Sequence, residues 1–331
     1  MDYYIYRLKF ETPVRFGSDS KGADLNKGNI TAHADTLFSA ICNELALKGD
    51  TYLDEFISMV NNEELWLSDL FPYRDEELFL PKPIVQRQSE MDNIPVAPHI
   101  IKEKVSAQKK LKKLKYISVD NLEKYTKILD DNNLSSLEMP DFGMGYLQQR
   151  VNNREAEPLP YHVHSHVFNS TSGLYFIVQT SNQDCIYDLN IQLEELGMSG
   201  IGGKRSSGYG KFQVLHKGGQ KLEENATNKS EQILYKMLHA EQANTQMLVS
   251  VLAPHAEDIA TVKAGNYLSV LRSGFAYSPY MEGNALKRNN VYMLAPGSCF
   301  AKRIKGQLLT MDHPCHSVYR YARGMFVGLN L

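Results

Sequence analysis

The sequence predicts an α+β protein built from antiparallel sheets. Segments with apolar residues at every second position are interspersed with segments in which apolar residues recur at helical spacing. Turn-forming residues separate consecutive strand-like segments, which favours antiparallel pairing. The chain has 331 residues, 43% of them hydrophobic and 22% charged. It can therefore form a substantial core, and this composition excludes a globally disordered protein.

The first two elements are a strand and a helix. In residues 3–10, Tyr4, Tyr6 and Leu8 fall on one side and Arg7 on the other, which predicts a half-buried strand. A loop rich in Gly, Ser, Asp and Asn follows. The stretch "HADTLFSAICNELALKG" then has apolar residues at helical spacing, with Asp35 placed as its N-cap and a glycine at its end.

Residues 61–160 have weaker periodicity and are predicted to be an insertion into this core. Regular patterns resume with "YHVHSHVF" and "GLYFIVQT", which are predicted to form a hairpin because only "NSTSG" separates them. A helix that ends at Gly197, a glycine-rich loop and the strand "KFQVLH" follow. The order β–α–insertion–β–β–α–loop–β is that of the split βαβ, or ferredoxin-like, arrangement.

A polar stretch, residues 217–232, predicts a linker between two domains. The N-terminal domain would span 1–216 with the insertion at about 61–160, and a smaller C-terminal domain would span 233–331. The C-terminal part contains four strand-like segments, "QMLVSVLA", "VYMLAPGS", "GQLLTMD" and "GMFVGLNL". We expect it to be a second, smaller copy of the same fold.

Charge is distributed unevenly along the chain. Residues 1–100 contain 17 acidic and 9 basic side chains, whereas residues 217–331 contain 8 acidic and 13 basic ones. This asymmetry suggests different partners for different faces, although ordinary surface scatter would also produce it. The N-terminus has no basic segment followed by a long apolar run, and no stretch is long enough to span a membrane. We therefore expect a cytoplasmic protein without a membrane partner, with its four cysteines reduced.

The most informative motif is "GMSGIGGKRSSGYGKF" (197–212), called the glycine loop below. A Walker loop is excluded because Met198 stands at its first glycine position and Arg205 follows the lysine. A Rossmann motif is excluded because Arg205 stands at its last glycine and the loop ends a helix. Two hypotheses remain, a flexible turn or a polyanion site. The polyanion site is favoured because glycine lets backbone amides approach anionic oxygens closely, and because Lys204 and Arg205 add positive charge.

The chain resembles a known family in four segments. The glycine loop, placed between a helix and a strand, is similar to that of the RAMP superfamily of CRISPR proteins. The segments "AHADTLFSAICNEL", "KKLKKLKYIS" and "YRYARGMFVGL" resemble one branch of it, subunit four of the type III-A Csm effector complex. This resemblance implies two ferredoxin-like domains with a thumb in the first domain, and a role without catalysis.

The resemblance also implies partners. Such subunits hold the repeat-derived 5′ handle of the CRISPR guide RNA (crRNA), dock the large polymerase-like subunit and contact a backbone subunit. A thumb reaches the duplex of guide and target RNA; here it would lie near "YLQQRVNNRE". The predicted RNA-binding residues are the loop residues, the start of the first helix, the thumb and two lysines: Gly200, Gly202, Gly203, Lys204, Arg205, Ser206, Ser207, Gly208, His33, Arg150, Arg154, Lys109 and Lys110.

Three alternatives stay open. The chain could be a guide-processing endoribonuclease of the same superfamily, with His33 in a metal-independent acid–base site. His162, His164 and His166 share one face of a strand and could bind a metal, although a polar face for RNA or protein is favoured. The lysine run around Lys109 and Lys110 could be a solvated helix face. We predict neither a metal nor a cofactor.

Overall fold

A computed structural model describes residues 1–18, 25–86, 106, 109–125, 137–152, 158–276, 286–312 and 316–330. Five α-helices are assigned in these ranges: α1 (Ala34–Lys48), α2 (Asp50–Asn61), α3 (Gln183–Ser199), α4 (Lys229–His239) and α5 (Ile259–Ala264). Shorter helical stretches lie at 109–113 and 122–125. No α-helix in the described ranges has the length and apolar character needed to cross a membrane.

The strands lie in two halves of the chain. The first half contains β1 (Asp2–Phe10), β2 (Phe16–Gly17), β3 (Gly28–Asn29), β4 (Leu65–Leu67), β5 (Phe71–Arg74), β6 (Glu77–Pro81), β7 (Tyr116–Ser118), β8 (Gly143–Asn152), β9 (Leu159–Phe168), β10 (Ser172–Thr180), β11 (Phe212–Val214) and β12 (Gln220–Lys221). The second contains β13 (Thr245–Leu248), β14 (Ser269–Arg272), β15 (Phe275–Ala276), β16 (Leu286–Lys287), β17 (Val291–Leu294), β18 (Cys299–Phe300), β19 (Gly306–Met311), β20 (Val318–Arg323) and β21 (Phe326–Leu329).

An eight-stranded antiparallel sheet organises the first half. Its strand order is β11-β1-β10-β5-β6-β7, with β12 added beside β1 and β4 beside β10. The predicted α+β class with antiparallel sheets is confirmed. The second half contains the three-stranded sheet β18-β13-β21 and three two-stranded ladders, β14–β17, β15–β16 and β19–β20.

Both faces of the large sheet are buried, so the predicted half-buried first strand is wrong. On one face, Tyr6 and Leu8 of β1 belong to the core cluster that includes α1 and α3. On the other, Tyr3 and Ile5 belong to a cluster that includes Leu234 of α4 and strands of the second half. The alternation in β1 therefore separates two interiors rather than an interior from water.

Arg7 of β1 lies in the second interior. It is only 6% exposed, and its Nη2 lies 2.5 Å from Oε1 of Glu231 on α4, while Nη1 donates to Gln220 Oε1 at 3.1 Å. A buried guanidinium needs such partners because an unpaired charge inside a protein is costly. The pair thus fixes α4 to the sheet.

Four further local predictions are corrected. Strands β9 and β10 do not form a hairpin: β9 pairs with β8, and β10 enters the large sheet beside β1. Part of the predicted insertion, namely β4, β5, β6 and β7, belongs to that sheet. Asp35 is not the N-cap of α1; His33 occupies that position. Helix α3 does not end at Gly197 but continues to Ser199. Glycine is needed at 197 for a different reason, because a Cβ there would lie 2.3 Å from the Phe212 carbonyl oxygen.

The stretch predicted as a linker, 217–232, contains β12 and the first turn of α4. Strand β12 pairs with β1. All four strand-like segments of the second half contain strands, β13, β17, β19 and β21, as predicted.

We predict that Glu231→Ala lowers the free energy of unfolding by about 3 kcal/mol, because it leaves Arg7 buried without its ionic partner. Chemical denaturation measures this change. The exposed pair of Lys221 and Asp2 provides the control, since Asp2→Ala should change stability little. Equal effects of the two substitutions would contradict the assignment of Arg7 to a buried ion pair.

Candidate nucleic-acid interface

The start of α1 is held by a buried carboxylate from another part of the chain. Asp69, which is 2% exposed, accepts hydrogen bonds at Oδ1 from the amides of Ala34 (2.8 Å) and Val251 (3.0 Å). Its Oδ2 lies 2.5 Å from Nδ1 of His33. Asp69 therefore performs the capping that the sequence suggested for Asp35 and connects α1 to the second half of the chain.

Asp35 instead pairs with the second half. Arg272 on β14 grips its carboxylate with two hydrogen bonds, Nε to Oδ2 at 3.0 Å and Nη2 to Oδ1 at 2.7 Å. Burial alone would raise the pKa of the Asp35 carboxyl, but Arg272, with His33 and Arg320, holds that pKa below its ordinary value.

More guanidinium groups surround this carboxylate than it can neutralise. Arg288 donates from Nη1 to Ser39 Oγ at 3.1 Å, and Arg320 donates from Nη1 to the carbonyls of Arg272 and Asn289. Burial lowers the pKa of both Arg288 and Arg320, against the attraction of Asp35. The start of α1 is consequently surrounded by more positive than negative side-chain charge.

A groove of about 960 Å³ opens over this region. The start of α1, the loop before it, the glycine loop and the strands of the ladders β14–β17 and β15–β16 form its walls. Its charged side chains are five basic and one acidic: Arg15, Arg205, Arg272, Lys287, Arg288 and Asp35. We call it the basic groove; its excess of positive charge suits a polyanion.

The glycine loop forms one edge of the basic groove. Gly202, Gly203 and Arg205 line it together with His33. Gly202 has φ +91°, and a Cβ there would lie 2.6 Å from the Arg15 carbonyl oxygen, so this close approach requires glycine. Arg205 is tied to α1, with Nη2 2.5 Å from Glu44 Oε1 and 2.8 Å from Ser199 Oγ.

Some backbone amides of the glycine loop donate hydrogen bonds within the protein. Those of Gly200, Gly203 and Gly208 donate to backbone carbonyls. The amides of Gly202 and of residues 204–206 make none of these internal bonds. The RNA contacts expected for this loop stay a prediction, and its backbone could supply them most readily at 202 and 204–206.

The other edge of the loop contacts the hairpin β8–β9. Arg150 on β8 donates from Nη1 to Ser207 Oγ at 3.3 Å, and its guanidinium lies 5.5 Å from the centre of the Tyr209 ring. Lys204 Nζ lies 5.3 Å from the centre of the Tyr161 ring on β9. The structure therefore joins the glycine loop to the segment in which the thumb was predicted.

The remaining predicted residues lie apart. Ser206 is exposed on the loop; Lys109 and Lys110 are exposed on the stretch 109–113 and do not line the basic groove. Arg154 lies outside the described residues.

The three histidines of β9 alternate in register with β8, so they share a face. His162 is exposed, whereas burial lowers the pKa of His164 and His166. In the part of the chain that the structure describes, no cluster of three or more His, Cys, Asp or Glu side chains could hold a metal ion.

Sequence reasoning missed Asp69 and the basic residues of the second half, Arg272, Lys287 and Arg288. The positive net charge of residues 217–331 was the available signal. It could not single out these residues, because their significance comes from their position beside α1.

Known proteins match the whole chain. It is 28% identical to the CRISPR system Cms protein Csm4 of Streptococcus thermophilus, with 100% of both chains covered. It is 26% identical to the Csm4 protein of Mycobacterium tuberculosis (strain CDC 1551 / Oshkosh), over 99% of this chain and 98% of the relative. The family model of the CRISPR Csm4 C-terminal domain matches residues 241–329. The chain is therefore similar to Csm4 proteins over its whole length, and its C-terminal part matches the model of their C-terminal domain.

Solved structures share the fold of this chain. A chain in the crystal structure of a Csm1–Csm4 cassette in complex with cA4 superposes with a TM-score of 0.61 at 18% identity, covering 99% of this chain and 98% of that one. A chain in the crystal structure of a Csm3–Csm4 subcomplex of the type III-A interference complex gives 0.61 at 16% identity, with full coverage of both. The resemblance to subunit four of the Csm complex is confirmed.

We predict that Asp35→Asn lowers the free energy of unfolding by about 3 kcal/mol near neutral pH, because Arg272 loses a buried partner. The folded pKa of Asp35 lies below the ordinary 3.8. Its stabilising contribution is therefore complete above that value and is lost as pH falls through the lower folded pKa.

Urea denaturation from neutral pH down to about pH 3 measures the gap between the two proteins. The gap should shrink only at the acidic end. Asp54→Asn removes an exposed carboxylate on α2 and serves as the control. A gap that grows on acidification would contradict the ion pair.

Proposed function

We propose that this chain, which is similar to Csm4 proteins, is the RNA-binding subunit of a type III-A CRISPR interference complex. In this role it holds the 5′ repeat-derived handle of the crRNA and docks the large polymerase-like subunit and the backbone subunit, without catalysis of its own. The basic groove carries the proposal, because it combines an excess of cations with the glycine loop. A phosphodiester backbone is the polyanion that suits such a surface.

Two further observations support the complex. The similar solved structures are of a Csm1–Csm4 cassette and of a Csm3–Csm4 subcomplex. The chain also exposes large apolar side chains, including Tyr187 (68%) and Met198 (76%) on α3, as expected of a subunit whose partners are absent. The acidic first third would supply the protein-docking face. Such a complex would act in the cytoplasm.

The hairpin β8–β9 is the candidate thumb. Leu147, Val151 and Leu159 are more than half exposed on it, while Arg150, near the end of the ladder where β8 connects to β9, contacts the glycine loop. In the proposed complex this hairpin would contact the duplex of guide and target RNA, so that the target is bound indirectly. Arg150, and Arg154 as predicted from the sequence, would contact the backbone.

The proposed fold family is the RAMP superfamily, with two ferredoxin-like domains. The strand order β11-β1-β10-β5, with α1 after β1 and α3 after β10, supports this assignment for the N-terminal domain. The match of the Csm4 C-terminal model to 241–329 supports a C-terminal domain within the proposed range 233–331. A linker at 217–232 and an insertion at about 61–160 stay predictions from the sequence, and strands within both ranges join the large sheet.

We predict that the double substitution Lys287→Gln/Arg288→Gln weakens RNA binding roughly tenfold and reduces the salt dependence by about one phosphate contact per side chain removed. The measurement has two parts: titration of single-stranded RNA at several salt concentrations, and 5′-end sequencing of RNA that co-purifies with the tagged chain from its host. A uniform repeat-derived 5′ end, depleted in the variant, is the expected result.

The control is Lys236→Gln/Lys263→Gln, which removes the same charge from exposed positions outside the basic groove. RNA without a common 5′ end in every sample, or an equal loss of affinity in the two variants, would refute the handle-binding role.

One observation favours a second candidate, the endoribonuclease. His33 lines the basic groove with its imidazole oriented by buried Asp69, as an acid–base group requires. If this reading is correct, the purified chain should cleave repeat RNA without metal, and His33→Gln should abolish cleavage. In the subunit role that we propose, neither protein cleaves the RNA.

A further inference from the structure

Two exposed aromatic rings stand in the basic groove. Phe275 is 61% exposed and Tyr292 is 60% exposed, and both line the groove beside its cations. Neither ring belongs to a core cluster. Among the described residues neither makes an aromatic–aromatic or cation–π contact. The packing of the described residues therefore does not account for their position.

The register of the two ladders places a cation directly opposite one ring and in the pair next to the other. Tyr292 is opposite Leu271, next to the pair of Arg272 and Val291. Phe275 is directly opposite Lys287. Phe275 and Lys287 therefore share a face of their ladder, so the groove offers a ring directly beside a cation, as a nucleic acid offers a base beside a phosphate.

A bulge between the ladders aims the rings into the groove. Two residues, 273–274, separate the ladders on one strand, and three, 288–290, separate them on the other. Gly274 adopts φ +116°, and its carbonyl accepts from the amide of Arg288 at 2.8 Å. An extra residue in one strand changes which side chains face a given side, so it places Phe275 in the groove while Ala276 is buried.

We propose that Phe275 and Tyr292 are stacking platforms for unpaired nucleobases of single-stranded RNA, whose adjacent phosphates are bound by Lys287 and Arg288. This inference rests on the proposed RNA-binding function and specifies how the RNA is held. Stacking needs an unstacked base, so the groove selects single strands over duplex. Every base has a π face, so the platforms tolerate different sequences.

Charge complementarity favours RNA over a protein partner at this site. Exposed aromatics occur in both kinds of interface. Here the surrounding charged side chains are five basic and one acidic, and Asp35 is already paired with Arg272. The remaining positive charge requires an anionic occupant that also presents flat apolar surfaces, as a nucleotide chain does.

The test uses the purified full-length chain and two labelled probes, a short single-stranded RNA of mixed sequence and the same backbone with abasic sites. Phe275→Ala and Tyr292→Ala should each weaken binding of the base-containing RNA roughly tenfold and leave binding of the abasic probe unchanged. Tyr292→Phe should bind like the parent chain because it keeps the ring. Tyr187→Ala, an exposed aromatic on α3 outside the groove, should also bind normally.

The outcomes separate the two proposals. If the parent chain binds RNA through Lys287 and Arg288 but the two alanine variants bind both probes normally, the stacking inference fails and the RNA-binding function stands. Alanine variants that lose both probes equally would also overturn stacking. If the rings prove necessary for recovery of a protein subunit and not for RNA affinity, the patch is a protein interface. A parent chain that binds neither probe overturns both proposals.

Discussion

The arrangement of the candidate site depends on the buried carboxylate of Asp69. Its two oxygens bind the backbone at the start of α1, the His33 side chain and the amide of Val251. Val251 is 182 positions away in the sequence, so this one side chain connects the two halves of the chain. Because the carboxylate is deeply buried, each of these bonds replaces water that the site excludes. Leu252, the next residue, pairs with Leu294 of β17, so the wall formed by α1 and the wall formed by β14–β17 are held in fixed relation across the basic groove.

The electrostatics of the groove follow from that geometry. Asp35 is close enough to neutralise Arg272, but Arg288 and Arg320 also lie near it, and both lose favourable hydration through burial. Bringing cations together without matching anions is unfavourable in the isolated protein. An external polyanion would offset this cost, and in the proposed function that polyanion is the guide RNA.

The glycine loop also connects the basic groove to the hairpin β8–β9. One edge lines the basic groove through Gly202, Gly203 and Arg205, and the other contacts the hairpin β8–β9 through Lys204, Ser207 and Tyr209. Glycine is needed at 202 because the backbone of residue 15 lies against it. An RNA in the basic groove would therefore be separated from the candidate thumb only by the glycine loop. The proposed contacts to the handle and to the duplex would then lie on opposite edges of the same loop.

The sequence by itself determined the local elements. Hydrophobic spacing located β1, α1, α3 and the strands of the second half, and the glycine pattern located the loop, because these signals arise within a few neighbouring residues. Only the tertiary structure decided that β1 is covered on both faces, that β9 pairs with β8, and that Asp69 rather than Asp35 caps α1. It also decided that Arg272, Lys287, Arg288, Phe275 and Tyr292 meet the glycine loop. These outcomes depend on which distant segments pack together, and hydrophobic periodicity specifies that a face is buried without specifying what covers it.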